Sequence, residues 1–243
     1  MNSVRIVSLV PSLTEAVAVT LPGALVGVTD WCTQPDGLDA VRLGGTKNPD
    51  VPRIIALGPD LVVTNEEENR ARDIADLRAA GIEVVVTEIR SVQQAFRELD
   101  RVLRACGGDR RPGWLDLAES VWSGMPEPWE RVTAVIPVWR RPWMVIGRDT
   151  FAGDVLARLG VDNVYANHPD RYPHVPLDEL RDSGAEIVVL PDEPYPFGAD
   201  DGPESFTMPA ACVSGRHLTW YGPSMAQAPG MIGASLRGVL RAL

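Results

Sequence analysis

Ile54-Ile55-Ala56-Leu57-Gly58-Pro59-Asp60-Leu61-Val62-Val63 reads as a short apolar helix, a stop and a strand. Gly58 suits the left-handed turn that closes a helix, and Pro59 cannot extend one. Leu61-Val62-Val63 is continuously apolar, the pattern of a strand covered on both faces. The same alternation continues outward. Upstream, Arg5 to Val10 reads as a strand closed by Pro11. Ser12 and Glu15 then stand at capping-box spacing, which predicts a helix start capped by Ser12. Residues 25–28 form a second strand. Downstream, 70–80 is helical and stops at Gly81, 83–87 is a strand, and 92–106 is a helix ended by Gly107-Gly108. Strand and helix in turn predict a parallel sheet with helices on both faces.

The rhythm breaks after Gly108. Trp114, Leu115, Leu117, Ala118, Val121 and Trp122 fall at helical spacing, with Pro112 just before them and Met125-Pro126-Glu127-Pro128 after. A single helix over 113–124 would span on the order of 18 Å at about 1.5 Å per residue. The α/β pattern then resumes: a strand at 132–138, helices at 151–159 and 177–183, strands at 186–190 and 210–214. A C-terminal helix follows over 226–243, weakened by Pro229 and glycines. The expected architecture is α/β, with two doubly wound lobes joined by one linking helix. The lobes are 1–108 and 129–243, and the linking segment is 109–128.

The 243 residues are 45% apolar and 23% charged, with a formal net charge of −10. No basic stripe suggests nucleic acid or an anionic membrane surface as partner. No apolar run reaches the roughly 18 residues of a spanning helix, so direct membrane insertion is not expected. Cys32, Cys106 and Cys212 are an odd count without metal-type spacing, which reads as reduced thiols. The first residues lead straight into a core-strand pattern with no secretory leader or lipobox cysteine. The expectation is a cytoplasmic protein, periplasmic or lipid-anchored only if a leader has been removed.

In doubly wound sheets, functional residues lie beyond the carboxyl ends of the strands. Those loops carry the candidate ligand-binding residues here: Asp30 and Trp31 after the second strand, Thr46 and Lys47 in Gly44–Asn48, and Glu66 and Glu67 after the third. In the second half they are Trp139, Trp143 and Arg148, then Tyr195, then His217, Trp220 and Tyr221. Aromatics in such loops suggest an apolar cleft with a few polar groups. Trp114 and Trp122 read as packing residues, and Cys32 as a small buried thiol. The GxxxxGK[ST], GxSxG and HExxH patterns are absent. Three scattered histidines do not form a metal set, and His217 is the best placed as an axial ligand. No catalytic residue is assigned, and the reading leans away from an enzyme.

The segments Arg5 to Glu15, Val26-Gly27-Val28 and Ile54 to Val63 resemble the N-terminal lobe of class III substrate-binding proteins, the helical-backbone receptors for cobalamin, haem and iron–siderophore complexes. The stretches 28–32, 44–48, 66–70, 143–150 and 218–223 are similar to a subgroup often labelled cobalamin-binding. The resemblance covers nearly the whole chain. It implies non-enzymatic binding of a bulky small molecule, a corrinoid or haem, in a cleft between lobes. It matches Trp31, Trp143 and Trp220 to aromatics that flank the macrocycle, and lets Arg148 and Glu66 or Glu67 meet its amide or carboxylate groups. Transport-linked members carry docking glutamates for an ABC permease. At those positions this chain has Pro52 and roughly Met225-Ala226. The alternatives are a transport binding protein whose leader was removed and an enzyme built on the receptor fold.

Overall fold

A computed structural model describes residues 4–128 and 130–241. The chain divides into two compact units. The first runs to Ile89 and takes in Gln93–Glu119 and Tyr221–Pro223, and the second holds Arg90–Val92, Ser120–Trp220 and the residues from Ser224 on.

In the first unit, β1 (Ile6–Ser8), β2 (Leu25–Val28), β3 (Val41–Arg42), β6 (Leu61–Asn65) and β7 (Glu83–Thr87) form a sheet in the order β3-β2-β1-β6-β7, and every neighbouring pair is parallel. A small antiparallel hairpin, β4 (Gly44–Gly45) with β5 (Asn48–Pro49), projects after β3. The helices are α1 (Pro11–Thr20), α2 (Val51–Leu57), α3 (Ala71–Ala79), α4 (Val92–Ala105) and α5 (Gly113–Ser123). Val7, Leu9, Leu43, Ile54, Val62 and Leu77 pack as one buried cluster. Ile54 is the inward residue of α2, whose start is capped by the Asp50 carboxylate accepting from the Arg53 amide at 3.1 Å. Gly58 closes α2 at φ 57°, as Gly58-Pro59 predicts.

The first helix corrects an expectation. Ser12 does not cap it, because α1 begins two residues earlier than such a cap requires, at Pro11, with Val10 in the cap position and no side-chain cap. Proline's fixed φ suits the first turn and its missing N–H is not needed there.

In the second unit, β8 (Val132–Val135) is followed by a separate hairpin, β9 (Pro137–Trp139) with β10 (Met144–Val145). The expected strand 132–138 is thus two strands in two sheets. Next come α6 (Phe151–Arg158), β11 (Val161–Asn163), α7 (Leu177–Arg181), β12 (Ile187–Pro191), β13 (Ala210–Val213), α8 (Gly215–Thr219) and α9 (Ala228–Leu240). The four-stranded sheet is parallel, in the order β11-β8-β12-β13. Val135, Val145, Leu180, Val188, Leu190 and Phe197 form its core. Pro229 does not weaken α9 but stands in its first turn, and a 3-10 turn, Pro223–Ala226, precedes it. Residues 242 and 243 of the expected C-terminal helix lie outside the described residues.

The division between units runs through α5, after Glu119. Its two tryptophans are packing residues. The Trp114 indole donates to Thr20 Oγ1 at 3.0 Å in the first unit, and the buried Trp122 indole donates to the Met225 carbonyl at 2.9 Å in the second.

Gly147 sits where a Cβ would lie 2.2 Å from the Asp170 carbonyl oxygen, a backbone atom that cannot swing aside. Gly113, at the start of α5, faces open space. Gly147→Ala should therefore lower stability by on the order of 2–4 kcal/mol. Gly113→Ala should raise it by about 0.4–1 kcal/mol through a less flexible unfolded chain. Urea unfolding of both variants checks the pair.

Candidate functional site

In each sheet the chain leaves a central strand in both directions. β1 connects to β2 on one side and the chain later returns as β6 on the other; β8 connects to β11 and returns as β12. The loops beyond the carboxyl ends of those strands flank a topological switch point, the usual place for a ligand in an open parallel sheet.

In the first unit these loops are joined by Asn69, which is buried. Its Nδ2 donates to the Leu9 carbonyl at 3.2 Å and the Thr46 carbonyl at 3.0 Å, while its Oδ1 accepts from the Asn65 amide at 2.9 Å. One amide therefore ties the end of β1, the β4–β5 hairpin and the end of β6 together. Lys47 adds a second clasp, its ammonium donating to the Glu67 carbonyl. Thr46 and Lys47 are thereby brought beside Glu66 and Glu67.

Trp31 follows β2 and is 67% exposed, the most open of the large apolar side chains among the described residues. A Cβ at Gly45 would lie 3.6 Å from its indole Nε1, so the hairpin backbone runs against the ring. Asp30, exposed beside it, is fixed to the hairpin by its amide donating to the Gly44 carbonyl at 2.8 Å. Cys32 is buried, with the Thr14 and Thr29 hydroxyls each 3.1 Å from its sulfur, and burial pushes its thiol pKa up. That is the inert small thiol expected of it.

Glu68 stands half-buried behind Glu67. Burial, and then the Glu67 carboxylate, raise its pKa to about 7, with Lys47 pulling the other way.

In the second unit, Trp139 ends β9 and is 43% exposed. Its ring meets Tyr195 edge-on at 5.7 Å. Trp143, at the other end of the hairpin turn, does not stand open. It stacks on Phe197 at 6.0 Å, meets Phe206 at 5.3 Å, and lies 5.3 Å below the Arg140 guanidinium. Trp220 donates its indole N–H to Glu193 at 3.0 Å, and Arg216 lies 5.7 Å over its ring. Burial raises the Glu193 pKa, against the lowering effect of that bond. His217 Nδ1 is 2.8 Å from the Ser214 hydroxyl, inside α8. Arg148 donates to the Pro169 carbonyl at 2.8 Å. Tyr221 is only 6% exposed.

Among the described residues no group of three or more His, Cys, Asp or Glu side chains could hold a metal ion, and no helix is long and apolar enough to cross a membrane. Asn69, Arg140, Glu193 and Asp201 organise these loops and were not among the residues singled out from sequence. Asn69 carries one local signal, the Asn65…Asn69 pair at a strand end, where amide side chains cap loops. The others are fixed by long-range pairing that no local pattern carries.

No family model matches the chain. It is 23% identical over 197 residues to a vitamin B12-binding protein of Photorhabdus laumondii, covering 76% of this chain and 70% of that one. It is 29% identical over 177 residues to an ABC transporter substrate-binding lipoprotein of Bacillus subtilis, covering 67% of this chain and 56% of that one. Among solved structures, the periplasmic haem-binding protein RhuT of Roseiflexus aligns with a TM-score of 0.79 at 20% identity, covering 98% and 99% of the two chains. The periplasmic vitamin B12-binding protein BtuF of Vibrio cholerae aligns with a TM-score of 0.76 at 17% identity, covering 98% of each. The chain therefore has the fold of class III substrate-binding proteins and resembles members of that class in sequence. The cytoplasmic location expected from the N-terminal residues finds no support here: RhuT and BtuF are named as periplasmic and the Bacillus relative as a lipoprotein.

The raised Glu68 pKa carries a sign. A carboxyl that ionises near pH 7 when folded, against its ordinary 4.5, holds its proton more tightly in the folded chain. The folded state is thus favoured below the ordinary value, and that advantage is lost as pH rises through about 7. Glu68→Gln should stabilise the protein by on the order of 1–3 kcal/mol at about pH 8 and by nothing near pH 4. Urea unfolding at both pH values checks this, and an equal gain at both would refute the assignment.

Proposed function

We propose that the chain is a non-enzymatic binding protein for a bulky small molecule with a large apolar face, a corrinoid or haem-like macrocycle, contacted by loops that carry exposed aromatic rings. The observation that carries the reading is the open indole of Trp31, 67% exposed where it stands against the β4–β5 hairpin. A tryptophan held open on an ordered loop is a surface for another apolar face. Trp139, at the end of β9 in the second unit, offers a second. The relatives and neighbours named for vitamin B12 and haem support the ligand class. Thr46, Lys47, Glu66, Glu67 and Arg148 are the polar groups on the same rims, placed to fix orientation through peripheral amides or carboxylates. His217, held by Ser214, and the buried Tyr221 are removed from the direct contacts we propose.

A second reading, delivery of the ligand to an ABC permease, is favoured by the similarity to the Bacillus substrate-binding lipoprotein. The docking positions implied by the family resemblance weigh against it, since Pro52 is apolar and Met225 is buried.

Covering about 100 Å² of indole is worth about 2.5 kcal/mol at 25 cal/mol/Å². Cyanocobalamin, dicyanocobinamide and haemin should be titrated by absorbance and calorimetry. At least one should bind with Kd below about 100 μM, near −5.5 kcal/mol. Trp31→Ala should then weaken it by about 10–50-fold with an unchanged melting temperature. Failure of all three ligands to bind rejects the macrocycle assignment.

A further inference from the structure

The hairpin turn of Trp139-Arg140-Arg141-Pro142-Trp143 separates two tryptophans with different surroundings. Trp143 is enclosed by Phe197, Phe206 and Arg140, and packs on the core of its unit. Trp139 is open and touches Tyr195. Between them Arg141 takes φ 64°, an unfavourable conformation for a side chain of that kind, so the loop must be held from outside.

Arg140 is what holds it. Its side chain is folded inward, 13% exposed, and bonds three residues of the segment that follows β12. It pairs with Asp201, with Glu204 at 2.6 Å, and with the Ser205 hydroxyl at 3.2 Å. The other oxygen of Asp201 accepts the Tyr195 hydroxyl at 2.7 Å. Asp201 therefore links the guanidinium to the phenol. Arg140 fixes the turn that carries Trp139, and through Asp201 it fixes the ring that Trp139 meets. A largely buried guanidinium that makes several charge-assisted bonds at once sets such a geometry more firmly than a single ion pair between two exposed side chains.

We propose that Arg140 is a positioning residue: acting through Asp201, it preorganises the Trp139–Tyr195 pair as the ligand-facing platform of the second unit, with the partly buried Trp143 as support and not a contact. This deepens the proposed function and rests on it for the word ligand. Without the fork, the paired geometry becomes one of several, and apparent affinity falls by the fraction of chains that retain it.

The test is a double-mutant cycle on whichever of cyanocobalamin, dicyanocobinamide or haemin binds most tightly. Arg140→Met should weaken it at least tenfold in the wild-type background and less than twofold when Trp139→Ala is already present, because a platform that is gone cannot be mispositioned. Arg140→Lys, which keeps the charge but not the fork, should recover part of the loss. Additive losses, or an Arg140→Met chain that melts as wild type and binds as wild type, would overturn the proposal. If Arg140→Met fails to fold, Tyr195→Phe removes only the bond to Asp201 and should show the same non-additivity with Trp139→Ala. A second arm needs no ligand: the difference in emission between the wild type and Trp139→Phe reports Trp139 alone. Acrylamide quenching of that signal should change at least twofold on Arg140→Met, and an unchanged constant refutes the positioning role. If none of the three probes binds the wild type, the proposed function fails while this arm still judges the positioning.

Discussion

Parallel pairing is the constraint on which the rest of this protein depends. A parallel strand cannot be reached through a tight turn, so each connection must run back along the sheet as a longer crossover, by a helix or a long loop, and every strand then ends on the same edge of its sheet. Both sheets obey this throughout, β3-β2-β1-β6-β7 in one and β11-β8-β12-β13 in the other. The consequence is chemical. Side chains far apart in sequence, such as Asp30, Thr46 and Glu67, are delivered to one rim without any local pattern linking them. The rim also gathers carbonyls left unpaired at the strand ends and in the β4–β5 turn, and these must find donors. Asn69 answers that need by bonding the Leu9 and Thr46 carbonyls with one amide.

The two units meet the same demand with different chemistry. In the first, the rim is fixed by the Asn69 amide, by Lys47 and by Arg42, whose guanidinium donates to the Thr29 and Cys32 carbonyls on either side of the open Trp31 indole, so every acceptor of these three side chains is a backbone carbonyl. In the second, it is fixed by an inward arginine against two carboxylates, and the aromatic rings pack on one another. Bonds to backbone carbonyls suit a rim whose loops are short and close to the backbone. A guanidinium fork suits the longer segment after β12, because it reaches three residues of it at once.

Much of this was legible from the sequence. Continuous apolar runs bounded by glycine and proline located Leu25–Val28 and Glu83–Thr87 to the residue, because buried parallel strands leave no room for polar interruption. Two-residue strands such as β3, β4 and β10 were invisible, since their pairing is long-range and their composition is ordinary. The switch from β8 to β9 was missed for a related reason: Val132 to Val138 is evenly apolar, and the change of sheet is decided by partners at Met144 and Val145. At the rims, the aromatic positions could be read but not their environments. Trp139 and Trp143 look equivalent in sequence, four residues apart around one turn. Only the tertiary contacts of Phe197, Phe206 and Arg140 separate the enclosed ring from the open one.

That separation bears on how the protein tolerates its exposed rings. An open tryptophan contributes little to folding, and an isolated one on a soft loop would turn inward and bury itself. Trp31 and Trp139 do not, because the backbone beneath each is committed elsewhere. The hairpin beside Trp31 is bonded through Thr46 and Lys47, and the turn beside Trp139 is bonded through Arg140. Folding free energy from polar bonds with little apolar burial thus keeps apolar surface in water. The ordering of these loops has been met during folding and need not be met again on association, which is what makes a rim an efficient binding surface.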